Sequence, residues 1–188
     1  MSSTDAEAEE EWRLVERVQG GDLTAFDILV RRYVRRAYSI AYRILGHRED
    51  AEDLVQDAFL AALEGIDTFR PGRPFGPWFY RIVVNRGYNA QRARSLRITE
   101  ALREDAPTSS PSPEDHVARS ELGGRLAEAM GSLPERQRLV VQLFELEGFT
   151  GAEIAEILQI PSGTVRWYLH RARKILRAAL RPLAEEER

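Results

Sequence analysis

Residues 149–180 read FTGAEIAEILQIPSGTVRWYLHRARKILRAAL, and few folds accommodate such a stretch. Thr150 and Glu153 stand three residues apart just before an apolar run. That is the spacing of a capping box, in which a hydroxyl accepts from an early helix N–H and a carboxylate reaches back. Ile154, Ala155, Ile157 and Leu158 then recur at helical spacing until Gln159-Ile160-Pro161 interrupts them, and Ser162 offers a second cap. Over residues 162–181 a further helix carries Arg166, Arg171, Arg173, Lys174, Arg177 and Arg181 without a single acid. Val165, Leu169, Ala172, Ile175, Leu176 and Ala179 form a stripe that holds this helix against its neighbours, leaving Arg166, Trp167, His170, Arg171 and Lys174 facing outward. A basic run by itself usually lies on a solvated face. The turn and the stripe make this one a helix-turn-helix pattern of the kind that enters the groove of duplex DNA.

The rest of the chain is helical as well. From Trp12 to about residue 97 the apolar residues follow helical rather than strand spacing, as in Phe26, Leu29, Val30, Tyr33, Ala37, Ile40, Ala41 and Ile44. Gly46 ends that helix. Residues 48–64 begin another, with Ala51, Leu54, Val55, Ala58, Phe59, Ala62 and Leu63 on one face and acids opposite. Three prolines and two glycines in residues 68–77 predict an irregular loop, and residues 78–94 a further helix. The fold class expected is all-α, in two small helical domains. APTSSPS at residues 106–112 reads as the flexible linker between them. Residues 12–97 form the first domain, 98–113 the linker and 114–183 the second. Pro113, Glu114 and Asp115 open a helix after Ser112, and a second capping box spans Ser132 and Glu135.

Charge and composition exclude several classes of function. The net charge of -3 argues against a nucleic-acid partner only until Asp5, Glu7, Glu9, Glu10 and Glu11 are set aside, since the remaining chain carries +2. These acids make residues 1–11 an acidic, disordered tail by expectation. The 188 residues, 43% of them apolar, suffice for one ordinary domain or two small cores. No cysteine is present, so neither a disulfide framework nor a thiolate site can be built. No stretch approaches a bilayer span and no secretory signal opens the chain, which predicts a cytoplasmic protein.

Catalytic motifs are absent too: His47, His116 and His170 are scattered, and no HExxH, Walker or GxSxG spacing occurs. The nearest approach to a metal site is Asp50, Asp53 and Asp57 on one helix, which lacks a second ligand-bearing element. An acidic face for docking a protein is the stronger reading of the same residues. In residues 69–81 aromatics alternate with arginines, followed by Asn85, Asn89, Arg92 and Arg94. Stacking rings interleaved with cations suit unpaired bases and their phosphates, although Phe79 and Ile82 also read as core.

Four segments, DAEDLVQDAFLAAL, PWFYRIVVN, SLPERQRLVVQL and EIAEILQIPSGTVRWYLHRAR, occur in the order of one known family. Through them, and over most of residues 25–180, the chain resembles the extracytoplasmic-function sigma factors of the sigma-70 family. The resemblance implies two helical domains, sigma2 and sigma4, and no catalysis by the chain itself. It implies binding to core RNA polymerase, at the clamp helices of the largest subunit and at the flap, and to promoter DNA. Carried over by position, Asp50, Glu52, Asp53, Leu54, Gln56 and Asp57 would dock on the clamp helices. Phe69, Ile82 and Asn85, with Arg81, Asn89 and Arg92, would hold a base flipped from the minus-10 element. Ser162, Thr164, Arg166, Trp167, His170, Arg171 and Lys174 would bind the minus-35 element, with Arg166, His170 and Arg171 reading bases and Arg173 and Lys174 nearer phosphates. The chain departs from the family pattern at Trp167 and Tyr168, where relatives commonly carry a small polar residue and an arginine. The resemblance further implies an anti-sigma factor as partner, a monomer when free, and neither metal nor cofactor. Two other readings use the same residues: a helix-turn-helix repressor or activator acting without polymerase, and a metal-dependent hydrolase.

Overall fold

A computed structural model describes the backbone over residues 3–70, 72–103 and 121–186, with side chains over 8–70, 72–96 and 123–178. Eight α-helices account for these residues together with one 3-10 turn: α1 Ser3–Gln19, α2 Leu23–Leu45, α3 Arg48–Glu64, α4 Phe75–Arg103, α5 Glu121–Gly131, α6 Glu135–Glu145, α7 Gly151–Leu158 and α8 Ser162–Glu186. The 3-10 turn, Ile66–Thr68, follows α3. Two compact units result, the first built on α1–α4 and the second on helices after residue 110.

The first unit is set by its helix ends. Asp22 caps α2 by accepting from the Thr24 N–H at 3.0 Å and the Thr24 hydroxyl at 2.6 Å, with the Arg17 guanidinium at 2.7 Å. The Thr24 hydroxyl, then Arg17, hold this carboxyl down at about 2. Gly46 ends α2 in the left-handed region, φ 73°, and returns its N–H to the Tyr42 carbonyl at 2.8 Å. A side chain there would strain the backbone. Glu49 and Asp50 in the first turn of α3 complement the positive end of its dipole.

Packing follows from the apolar stripes. Ala25, Leu29, Ala37, Ile40 and Ala41 of α2 meet Ala51, Val55, Ala58 and Ala62 of α3 and Phe79, Val83 and Val84 of α4, all buried. Small residues let the helices approach closely. A Cβ on Gly87 of α4 would stand 3.1 Å from the Ile44 side chain of α2, tighter than ordinary contact, so a side chain there would require Ile44 to give way. Phe79 stacks on Phe59 with ring centroids 4.3 Å apart, and each such buried ring stabilises the fold by about 1.5–3 kcal/mol.

The acidic tail expected over residues 1–11 is instead part of α1, which begins at Ser3. Leu14, Val15 and Val18 bury in the first unit, and the charges ahead of them are fastened: Arg32 reaches Glu10 at 2.9 Å, and Glu11 accepts from the Tyr33 hydroxyl. Burial, then the Glu11 hydrogen bond, push the Tyr33 hydroxyl pKa far up. Glutamate is a good helix former, and counting charge alone misses that Glu10 and Glu11 have basic and phenolic partners on α2; the side chains of Asp5 and Glu7 lie outside the described residues. The expected linker also shortens from its start, since α4 runs on to Arg103. The remainder of residues 98–113, and the predicted helix start at residues 112–115, lie outside the described residues.

In the second unit both halves of the Thr150–Glu153 box form. The Thr150 N–H donates to Glu153 Oε2 at 2.8 Å, and the Glu153 N–H donates to Thr150 Oγ1 at 3.2 Å. The turn after α7 places Gln159 at φ 53°, left-handed, while the Ile160 N–H bonds the Ala155 carbonyl at 3.1 Å. The Pro161 carbonyl then accepts from Thr164 and Val165, so Ser162 already lies inside α8 rather than capping it. The second expected box, Ser132 to Glu135, does not form. Pro134 is the N-cap of α6, and the Ser132 hydroxyl turns back to the Ala129 carbonyl of α5 at 2.8 Å.

Candidate nucleic-acid interface

The outer face of α3 is acidic. Its 3.6-residue period puts Asp50, Glu52, Asp53, Gln56 and Asp57 outward, and all five are exposed. Leu54 points the other way and is 6% exposed, so of the residues expected on this surface it alone belongs to the core beneath. Leu60, 56% exposed on the same helix, is an apolar group on the outer face that pattern reading assigned to nothing. Along the α3–α4 seam runs an open cleft of about 1200 Å³, lined by Asp50, Asp53 and Asp57 on one side and Arg86, Asn89 and Arg94 on the other. Arg94 Nη1 spans it to Asp50 Oδ2 at 3.4 Å. Asn89, expected with the minus-10 set, therefore also shares a cleft with Asp50, Asp53 and Asp57 of α3. Among the described residues no group of three or more His, Cys, Asp or Glu converges to hold a metal ion.

On α4 two faces separate cleanly. Phe75, Phe79, Tyr80, Val83 and Val84 are buried, whereas Trp78, Ile82, Asn85, Asn89 and Arg92 recur at steps of four and three along the opposite side. Trp78 and Ile82 are partly exposed, and Asn85, Asn89 and Arg92 are exposed. Arg81 borders this line, half-buried. An apolar start, two amides and a cation in one row are groups able to stack, to hydrogen-bond and to pair with phosphate.

Phe69 departs from expectation. It is 4% exposed, packed by Trp12 at 6.2 Å, Phe75 at 5.7 Å and Trp78 at 5.3 Å between ring centroids. Apolar residues in a proline-rich loop read as exposed from sequence, but the three aromatic rings around Phe69 exclude water from it. Phe69 thus sits behind the exposed row and supports it. Trp12, a member of this cluster, went unread because α1 was not joined to the loop.

On α8 the stripe holds over the described residues: Val165, Leu169 and Ala172 are buried, and Ile175 and Leu176 partly so, while the Ala179 side chain lies outside them. Ser162, Arg166, Trp167, His170, Arg171 and Lys174 are exposed, with Thr164 half-buried at the first turn. The Arg171 guanidinium lies 5.2 Å from the centroid of the Trp167 ring, and Trp167 contacts Tyr168 at 5.4 Å. The departure from the family pattern is thus a platform on which one arginine rests. Arg173 is engaged within the unit, 3.0 Å from Glu145 and over the Phe144 ring at 5.4 Å, so it ties α8 to α6.

Comparison with known proteins accounts for both units. Residues 29–97 match the family described as Sigma-70 region 2, and residues 123–176 that described as Sigma-70, region 4. The chain is 37% identical over 180 residues to the ECF RNA polymerase sigma-E factor of Haemophilus influenzae, spanning 90% of this chain and 95% of that protein. It is similar to a solved structure of CnrH in complex with the cytosolic domain of CnrY, with TM-score 0.67 and 28% identity over 90% of this chain and 96% of the other. The fold is also that of the sigma factor RpoE from Bartonella quintana, solved in complex with the anti-sigma factor NepR, with TM-score 0.68 and 24% identity over 83% and 96% of the two chains.

Proposed function

The chain belongs to the extracytoplasmic-function sigma factors of the sigma-70 family and directs RNA polymerase to promoters, and from that premise we propose a division of labour among its three exposed surfaces. Sigma factors are non-enzymatic initiation factors, so the chain supplies recognition and the polymerase supplies the chemistry. The helix-turn-helix repressor reading is displaced by the two sigma-70 regions in their order along the chain.

Asp50, Glu52, Asp53, Gln56 and Asp57 dock α3 on the clamp helices of the largest polymerase subunit, with Leu60 as an apolar anchor among the charges. The second unit engages the flap and reads the minus-35 element through Arg166, His170 and Arg171, Trp167 orienting Arg171. The row on α4 captures a base of the minus-10 non-template strand: Ile82 offers an apolar wall, Asn85 an amide that donates and accepts, and Arg81, Asn89 and Arg92 contact the backbone. The observation that carries this reading is that row itself, two exposed amides and a cation in line with Trp78 and Ile82 on one side of a helix whose other side is core.

Asn85→Ala tests it. Permanganate reactivity of the minus-10 thymines should fall at least several-fold while binding of the closed duplex is kept; reactivity equal to wild type contradicts it. An anti-sigma factor that covers these surfaces is a further expected partner. The similar CnrH was solved in complex with the cytosolic domain of CnrY, which supports this expectation. The protein acts in the cytoplasm as a monomer when free. No described helix is long and apolar enough to cross a membrane.

A further inference from the structure

Helix α1 precedes the matched sigma-70 region 2, which begins at residue 29, and it grips the segment between α3 and α4 at three points. The Gln19 side-chain amide donates to the Ile66 carbonyl at 2.9 Å. Trp12 stacks on Phe69 at 6.2 Å. Glu11 Oε2 accepts from the Phe75 N–H, the first residue of α4, at 3.2 Å, while Glu11 Oε1 accepts from the Tyr33 hydroxyl and lies 3.7 Å from Arg32. The Glu11 side chain is only 15% exposed. One carboxylate thus satisfies an otherwise unpaired N–H at the start of α4, complements the helix dipole there, and is itself held by two groups of α2.

We infer that Glu11 is a positioning residue for minus-10 capture: with Trp12 and Gln19 it fixes the start of α4, and with it the register of Trp78, Ile82 and Asn85 toward the unpaired strand. The inference rests on the α4 reading proposed above. Its physical basis is local. Trp78 lies one turn into α4 and packs on Phe69 at 5.3 Å and Phe75 at 5.4 Å, so a freed first turn releases the aromatic support behind the capturing row. The docking face of α3 makes none of these contacts with α1, and polymerase binding is expected to be independent of Glu11.

The experiment uses holoenzyme assembled from bacterial core RNA polymerase and the full chain. Its probe is the fluorescent non-template strand from the minus-10 region of a genomic fragment that this holoenzyme transcribes. Wild type, Glu11→Ala, Glu11→Gln and Asn85→Ala are compared for affinity to the strand and for competition against wild type for core. The expected result is a strand affinity about tenfold lower for Glu11→Ala, substantial rescue by Glu11→Gln, whose amide oxygen still accepts from the Phe75 N–H, and unchanged competition for core. Wild-type strand affinity in Glu11→Ala, with Asn85→Ala defective, overturns the positioning role and leaves the α4 reading standing. Wild-type affinity in Asn85→Ala overturns the α4 reading. Equal loss of strand and core binding in Glu11→Ala, or no rescue by Gln, overturns the positioning role in favour of a general contribution to folding.

Discussion

Removing the indole of Trp167 should weaken minus-35 recognition through an arginine it does not replace. Arg171 rests 5.2 Å from the ring centroid, and the ring is 51% exposed, so the pair is a solvated cation–π contact. Such contacts contribute about 0.5–1 kcal/mol. A bidentate arginine–guanine pair in the major groove is worth about 1–3 kcal/mol. Trp167→Ala is therefore expected to lower affinity for the cognate promoter about two- to fivefold, and Arg171→Ala between about five- and 150-fold with one base position relaxed. In the Arg171→Ala background the tryptophan has nothing left to orient, and its removal should cost almost nothing. The assay is competition of holoenzyme for labelled promoter duplex against duplexes varied at each minus-35 base, at fixed ionic strength because phosphate contacts are salt-dependent. Effects that add within about 0.3–0.5 kcal/mol refute the reasoning, since uncoupled residues add. So does an unchanged base preference in Arg171→Ala with a salt slope shallower by about 1, which would put Arg171 on a phosphate.

Three further predictions separate fold from function. Leu54→Ala should destabilise the first unit by about 2–5 kcal/mol in urea denaturation, as expected for a core leucine, whereas Asp53→Ala should leave stability nearly unchanged and weaken competition for core polymerase. Breaking the box at the start of α7 with Thr150→Ala should cost about 1 kcal/mol in the melting of the second unit, and Glu153→Gln, which retains the reciprocal acceptor, less. Because the Asp22 carboxyl titrates lower when folded, about 2 against an ordinary 3.8, its charge contributes stability fully above pH 4, and that contribution is lost as pH falls through 2. Asp22→Asn keeps a capping oxygen without the charge, so acid unfolding followed by circular dichroism should show wild type the more stable at pH 5 and the two alike near pH 2.

Where a local signal decided the outcome, the sequence was readable. Gly46 sets the end of α2, the run from Arg48 to Glu64 coincides with α3, and Thr150 with Glu153 opens α7, because in each case one backbone group finds its partner within a few residues. The stripe of α8 was equally plain, since Val165, Leu169 and Ala172 recur at the helical period. Failures arose where a nearer competitor or a distant partner decided the outcome. Ser132 and Glu135 have the spacing of a box, but Pro134 takes the cap. Among the acids before Trp12, Glu10 and Glu11 find their partners in Arg32, Tyr33 and the Phe75 N–H, which a count of charge does not reveal. The break between α1 and α2 falls at Gly20-Gly21-Asp22, a flexible pair followed by a capping acid, a signal that apolar spacing alone does not carry. Leu54 and Phe69 show the cost of carrying residues over by position: motif membership does not distinguish a side chain that touches a partner from one that supports its neighbours from within.

The account as a whole is tested most directly by mixing the purified chain with bacterial core RNA polymerase, following co-elution, and mapping transcripts from genomic fragments that core alone leaves silent. Stoichiometric co-elution, with new transcripts from discrete start sites that disappear when Asp53 and Asp57 are both replaced by alanine, is the result predicted. No association with core, together with tight dimeric binding to promoter duplex, would contradict it.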